Sequence, residues 1–301
     1  MHVLVSGSSG LIGSGLIVSL PRAGHSVVRM LRGATRARED DIVWYPETGE
    51  LRPTEPRPLD AVVHLAGENI ASAWTEPRKA EIRRSRVDAT RLLCQTLAKL
   101  KKPPRVLICA SAVGYYGDHG DASLDESASP GSGFLAEVCR DWEAATEPAA
   151  AAGIRTVSTR FGMILDPRSG ALAQMLPVFE IGLGGRLGSG RQYLSWITLV
   201  DVLRAIELLL VREDITGPVN VVSPHPVTNA EFTKTLASVL HRPAVLPVPG
   251  FALRILFGQR ADELLLPSAR ALPRRLQEAG FQFEHPQLKP ALEYLLSRTD
   301  F

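Results

Sequence analysis

A chain of 301 residues and 32.7 kDa is more than one small domain, and 45% hydrophobic with 22% charged residues is the make-up of an ordinary globular protein, which excludes a disordered or fibrous chain. A net charge of +2 is too even to mark a nucleic-acid or membrane-surface binder, so neither partner is expected. The basic residues divide into 28 Arg and 6 Lys, and none of Tyr45, Tyr115, Tyr116, Tyr193 or Tyr294 has a Lys four positions later, which removes any chemistry that needs a Tyr-x-x-x-Lys pair.

In chain order, apolar runs rich in β-branched residues predict strands at His2–Ser6, Ser26–Leu31, Asp60–Leu65, Arg105–Ser111 and Ile154–Arg160. Helical stretches are predicted between them at Leu11–Leu20, Arg78–Leu100 and Gly133–Ala152. Continuous apolar strands alternating with helices imply an α/β fold, a doubly wound parallel sheet covered on both faces. Tyr45–Pro58, with Pro46, Pro53, Pro56 and Pro58, reads as an excursion rather than a core element. Gly182–Gly190 reads as a flexible loop or lid, Val200–Val211 as a helix with Asp201 near its N-cap, and Val219–Val222 as a late strand. His241–Phe301 reads as helical, with a basic patch at Arg270, Arg274 and Arg275. Three parts are expected: a core over 1–165, a substrate-side segment interleaved with it over 166–245, and a short, mostly helical C-terminal domain over 246–301. Cys94, Cys109 and Cys139 are isolated thiols without disulfide or zinc spacing, so no metal is expected. The N-terminus lacks the features of a signal peptide or membrane span, and a cytoplasmic protein is expected.

The strongest signal is Val3-Leu4-Val5-Ser6-Gly7-Ser8-Ser9-Gly10-Leu11-Ile12-Gly13. Gly7 permits a tight turn, Gly10 lets backbone approach a pyrophosphate, and Gly13 lets the following helix pack close to the strand. The free N–H groups of that helix then face the phosphates. Residues 1–38 contain no Asp or Glu, while Arg22, Arg29, Arg32, Arg36 and Arg38 are all present. With Leu31-Arg32 at the end of the second strand, where an NAD binder places a carboxylate, a guanidinium suited to a 2′-phosphate implies NADP(H).

These residues resemble the extended, nucleotide-sugar-epimerase-like branch of the short-chain dehydrogenase/reductase superfamily. The resemblance rests on Ser6–Gly13, His64-Leu65-Ala66-Gly67, Arg86-Val87-Asp88-Ala89-Thr90 and Ala110-Ser111-Ala112-Val113-Gly114-Tyr115-Tyr116-Gly117. Arg160-Phe161-Gly162-Met163-Ile164, Gly190-Arg191-Gln192, Trp196-Ile197-Thr198 and Asp201 extend it to about residue 235. Ala66-Gly67-Glu68-Asn69-Ile70 and the Gly-Tyr-Tyr-Gly run resemble one subgroup, the "family 39U member 1" epimerase-like proteins with a C-terminal domain of unknown function.

The resemblance implies a Rossmann-type sheet and a cofactor held by Gly7, Ser9, Gly10, Leu11, Ile12, Gly13, Leu31, Arg32, His64, Leu65, Ala66 and Gly67. Glu81 and Arg86 are expected on the cofactor side of the long helix, and Phe161, Gly162 and Ile164 along the nicotinamide. Ser111 is the expected active-site serine. The superfamily's Tyr and Lys would fall within Phe134–Arg140, where neither residue type occurs. Tyr115 and Tyr116 are the candidate replacements for proton transfer, with Asp118, His119 and Glu126 as weaker ones and Cys139 a packing thiol. Arg191 and Trp196 are candidate substrate residues, Trp196 equally a core residue. Two functions follow: an NADP(H)-dependent oxidoreductase or epimerase acting on a small polar, nucleotide-sugar-like molecule, or a non-catalytic NADPH-binding sensor or scaffold. Oligomeric state is not encoded in any of these patterns.

Overall fold

The computed structural model describes residues 1–33, 38–54 and 56–297. The chain runs β1 (His2–Ser6), α1 (Leu11–Arg22), β2 (Ser26–Arg32), β3 (Ile42–Tyr45), β4 (Glu50–Arg52), β5 (Ala61–His64), α2 (Glu76–Ala98) and β6 (Val106–Ala112). There follow β7 (Ser123–Leu124), α3 (Phe134–Ala144), α4 (Glu147–Ala151), β8 (Arg155–Phe161), β9 (Met163–Leu165) and α5 (Gly170–Glu180). The remainder is β10 (Tyr193–Leu194), β11 (Trp196–Thr198), α6 (Leu199–Val211), β12 (Gly217–Val221), β13 (Val227–Thr228), α7 (Asn229–Val239), α8 (Gly250–Phe257), β14 (Arg270–Ala271), α9 (Arg274–Glu278) and α10 (Leu288–Leu296). Among the described residues no helix is long and apolar enough to cross a membrane, and no cluster of three His, Cys, Asp or Glu could hold a metal. All three cysteines are buried and outside any disulfide.

Eight strands form one sheet in the order β12-β8-β6-β5-β1-β2-β3-β4. The pairs β1–β2, β1–β5, β2–β3 and β5–β6 are parallel, and β3–β4 is an antiparallel hairpin. The chain builds outward from β1 through β2, then returns to lay β5 on the other side. The order therefore reverses between β1 and β5, and a crevice opens beyond their carboxyl ends at Ser6 and His64.

The contacts divide the chain into two interleaved units, 1–111, 138–159 and 203–218 in the first, and 112–137, 160–202 and 219–301 in the second. Residues 203–218, from the segment 166–245 expected to interleave with the core, fall in the first unit. In the first unit, Leu4, Val62 and Leu107 from three strands pack with Leu93 and Leu97 of α2, each fully buried. Burying such a side chain is worth roughly 1.5–3 kcal/mol. Helix α2 starts at Thr75, whose side chain accepts from Arg78 N at 3.3 Å, and its buried positions Ile82, Val87, Thr90, Leu93, Cys94 and Leu97 recur at helical spacing.

Two local readings change. The proline-rich excursion contains strand β4 and the last residue of β3, and Leu51, with Trp44 just before the excursion, belongs to the core of the first unit. The helix expected over 133–152 is two, α3 and α4, because Pro148 at the start of α4 has no N–H to continue the ladder.

In the second unit, Thr198 Oγ1 accepts from Asp201 N at 3.2 Å and so caps α6, rather than Asp201 itself. The Asp201 carboxylate instead accepts from Glu284 N at 2.7 Å and His285 N at 3.0 Å, pinning the segment before α10. Asp201→Ala removes both acceptors from a fully buried position. A loss of about 3 kcal/mol is expected, read as a lower urea midpoint; an unaltered midpoint contradicts this role for Asp201.

Candidate active site

In the first unit, β1 ends at Ser6 and turns into α1 through Gly7, at φ 64°, with Gly10 as N-cap. A Cβ on Gly7 would lie 2.9 Å from Leu65 C, and one on Gly13 would lie 2.2 Å from Gly7 O. The turn and the close helix–strand approach thus both require glycine. Helix α1 has no side-chain cap and no acidic residue in its first turn, so its leading N–H groups remain for an anion.

This loop lines a cavity of about 850 Å³ with Leu31 and Arg32 from the end of β2, Trp44 and Pro46 from the edge hairpin, and Ala66, Gly67 and Glu68 after β5. A glycine cradle, an open helix N-terminus and the apolar side chains of Leu31, Trp44 and Leu92 fit a dinucleotide phosphate and adenosine, with Arg32, Arg84 and the carboxylates Glu47, Glu68, Glu81 and Asp88 on the same wall. Gly7, Ser9, Leu31, Arg32, His64, Ala66, Gly67 and Glu81 border the cavity; Gly10, Leu11, Ile12 and Gly13 stand behind it as the turn and first helical residues.

The arginines separate by partner. Arg29 forms a two-pronged ion pair with Asp41, Nε to Oδ1 at 2.9 Å, and Arg38 N donates to the same carboxylate at 2.7 Å. Arg36 lies outside the described residues. Among the described residues Arg32, its side chain 67% exposed, pairs with Glu68 Oε1 at 3.5 Å, a loose surface pair that leaves the guanidinium exchangeable.

Glu81 borders the cavity and pairs with Arg78 Nη1 at 2.9 Å. Arg86 Nη2 donates to Glu68 O at 2.9 Å, Nη1 to Ile82 O at 3.3 Å, and its guanidinium lies over the Trp142 ring at 5.2 Å. Its guanidinium carbon would be 3.1 Å from a Cβ on Gly67, so it buttresses the Gly67–Glu68 backbone from behind.

Beneath the loop runs a buried hydrogen-bond chain. Ser6 Oγ accepts from Leu65 N at 3.0 Å and Ala66 N at 3.2 Å, which leaves its own proton for His64 Nδ1 at 2.7 Å. His64 must then carry its proton on Nε2 and donate to Thr90 Oγ1 at 3.1 Å, which also accepts from Trp142 Nε1 at 3.0 Å. Burial pushes the His64 imidazole down to about 4, so it is neutral at pH 7. His64 thus supports the Leu65–Ala66 backbone through Ser6 and also borders the cavity.

Ser111, 3% exposed near the end of β6, donates from Oγ to Glu143 Oε1 at 2.7 Å. Glu143 is half-buried on α3 and is a residue that the motifs did not single out. Its only signal in sequence is its place four residues after Cys139, which is buried as a packing thiol.

In the second unit, Tyr116 is fully buried. Its hydroxyl lies 2.7 Å from Asn220 Oδ1 and 3.0 Å from Asp125 O, and accepts from Arg160 Nη1 at 2.9 Å. Burial raises its pKa against the pull of Arg160, so this phenol is a fixed structural member. Tyr115 is half-buried, its ring edge-on to Tyr116 at 5.4 Å, with the Arg160 guanidinium 3.5 Å from its centroid.

The loop candidates serve the C-terminal segment. Asp118 Oδ1 accepts from Ser268 N, His119 N donates to Ser268 O, and Glu126 Oε1 accepts from Asn220 N at 3.0 Å and Arg275 N at 3.3 Å. Phe161 is buried, Gly162 lies so near Ser195 that a Cβ would be 2.4 Å from its carbonyl oxygen, and Ile164 pairs with Ile197 between β9 and β11. Trp196 is core: fully buried, with Nε1 donating to His225 O at 3.0 Å. Arg191 is exposed.

A family model described as the NAD dependent epimerase/dehydratase family matches residues 3–222. The chain belongs to this family. A second model, a domain of unknown function (DUF1731), matches residues 248–295, giving the epimerase/dehydratase architecture of the extended short-chain dehydrogenase/reductases with that C-terminal domain. The epimerase family protein MT2273 of Mycobacterium tuberculosis is 46% identical over 297 residues, 98% of either chain. The crystal structure of human epimerase family protein SDR39U1 (isoform 2) with NADPH superposes with a TM-score of 0.91 at 33% identity, covering 99% of this chain and 100% of that one. A nucleoside-diphosphate sugar epimerase from Corynebacterium glutamicum gives 0.78 at 34% identity, covering 98% of this chain and 58% of that one. Family membership accounts for the sheet, the phosphate loop and the C-terminal helices together.

Proposed function

We propose that the protein binds NADP(H) in the cavity of the first unit and uses it as an oxidoreductase or epimerase on a small polar, nucleotide-sugar-like molecule. The observation that carries the cofactor is the pairing of an uncapped, acid-free helix N-terminus with Arg32 at the rim of the same cavity. The NADPH bound to human SDR39U1 supports the choice of phosphorylated cofactor. When bound, the cofactor supplies hydride chemistry; the chain's own residues hold and orient it. The α1 amides and the Gly7–Gly10 turn take the pyrophosphate, and Arg32, released from Glu68, takes the 2′-phosphate.

Titration with NADPH and NADH tests this reading. The wild type should prefer NADPH by about 100-fold, and Arg32→Asp, which sets a carboxylate against the phosphate, should erase the preference. Equal affinities in the wild type contradict the assignment. A second reading, a non-catalytic NADPH-binding sensor or scaffold, is favoured by the buried Cys139 on α3, where the superfamily has its lysine. Tight NADPH binding without oxidation by any carbonyl or sugar nucleotide would select it.

A further inference from the structure

That reading leaves the proton without a carrier. On α3, Cys139 and Glu143 are one helical turn apart on one face. Glu143 Oε1 is the acceptor of the Ser111 hydroxyl at 2.7 Å, and both residues belong to the first unit. A serine that donates to a carboxylate has its single proton committed, and only oxygen lone pairs remain for a third group. As it stands, the Ser111 oxygen can only accept a hydrogen bond from such a group, and it can donate one only when Glu143 carries a proton.

We propose that Glu143, acting through Ser111, accepts and returns the proton of the reaction in place of the missing Tyr and Lys, and that the substrate is an alcohol or the corresponding carbonyl. The proposal rests on the NADP(H)-dependent reading above. In the oxidising direction the substrate O–H bond breaks and its proton passes to Ser111 Oγ, while the serine's own proton passes to Glu143. The C–H electron pair leaves as hydride to the oxidised nicotinamide, so the alcohol becomes a carbonyl as the nicotinamide is reduced. In the other direction protonated Glu143 returns the proton along the same path. Glu143 is a positioning and proton-holding residue, and Ser111 is the group that meets the substrate.

The charged and titratable neighbours leave this role to Glu143. Burial, then Cys94, then the charge on Glu143 push the Cys109 thiol of β6 well above its ordinary range, so it stays protonated. Asp141 on α3 is taken by Arg83 at 2.6 Å and by Arg140 at 3.1 Å. The Arg86 guanidinium of α2 is taken by backbone carbonyls and the Trp142 ring. Cys139, on the same helix as Glu143, is buried.

The test combines NADPH and NADP⁺ titrations with NADPH-linked turnover of a carbonyl and sugar-nucleotide panel, using the full chain and the variants E143Q, E143D and S111A over about pH 5.5 to 9. All four proteins should bind NADPH within about threefold of one another, while E143Q should lose several-fold of its relative affinity for NADP⁺, whose ring is positive. Turnover should fall on the order of 100-fold in E143Q and S111A, with part of the rate restored in E143D. A wild-type rate in E143Q, with an unchanged NADP⁺/NADPH affinity ratio, overturns the role of Glu143 alone. Failure of the wild type to bind NADPH overturns the nucleotide reading and the relay with it. Tight binding without any turnover leaves the nucleotide site standing and overturns the relay.

Discussion

Gly13→Ala is expected to lower NADPH affinity by at least about 100-fold and to cost about 2–4 kcal/mol of stability. The added methyl would stand 2.2 Å from Gly7 O and 2.8 Å from Ser8 Cα, both backbone atoms without a rotamer to escape into. About an ångström of movement is needed to relieve such an overlap. Helix α1 must retreat from β1, or the Gly7–Gly10 turn must open. Either movement displaces the N–H groups proposed to face the phosphates, so binding and folding fall together. Gly24→Ala is the control, since its Cβ meets nothing within 4 Å and the effect there comes from its positive φ alone. Urea unfolding and NADPH fluorescence read the two quantities. Near wild-type affinity in Gly13→Ala would show that the loop is pliant and that close packing is not what holds the phosphates.

The second large effect is on acid stability. His64 is fully buried and neutral, titrating near 4, whereas in an unfolded chain it titrates near 6.5. Between those values the unfolded state binds a proton that the folded state refuses, so stability falls as pH is lowered through this window and levels off below about 4. The difference corresponds to about 3 kcal/mol. Glu126 acts in the opposite sense, because burial raises its carboxyl and the folded state takes up its proton first. Asp125, held at about 2 by Ser127 and Arg274, contributes only at lower pH. His64→Asn should be less stable at pH 7 yet lose most of the slope between pH 6.5 and 4. If the variant and wild type share the same slope, His64 is not the group that titrates.

How far the sequence reaches depends on the separation of the interacting residues. The phosphate loop is legible because strand, turn and helix lie within twenty residues and only glycine satisfies its geometry. The hairpin β3–β4 is not, since four prolines hide two short strands whose burial comes from α2 packing over Trp44 and Leu51. Ser111 is visible by resemblance, but its partner Glu143 is 32 residues away on another element. Tyr116 looks like a catalytic phenol until Arg160, 44 residues on, and Asn220, 104 residues on, claim its hydroxyl. For Arg86 the deciding neighbour is a missing one, the absent Cβ of Gly67 that admits the guanidinium. Side-chain direction at a helix is set by what packs against it, and no spacing rule contains that information.

The buried chain runs from Ser6 through His64 to Thr90, where Trp142 donates from the other side, and each proton is allotted to one acceptor. It therefore behaves as a single inherited character rather than four. A lineage that replaced the Ser6 hydroxyl by an alkyl group would strand the Leu65 and Ala66 amides and leave His64 Nδ1 facing nothing, so a lasting change at one position calls for changes at the others. Among relatives these residues should be kept or exchanged as a set, and a chain that carries His64 without its serine should show a compensating donor in the same place.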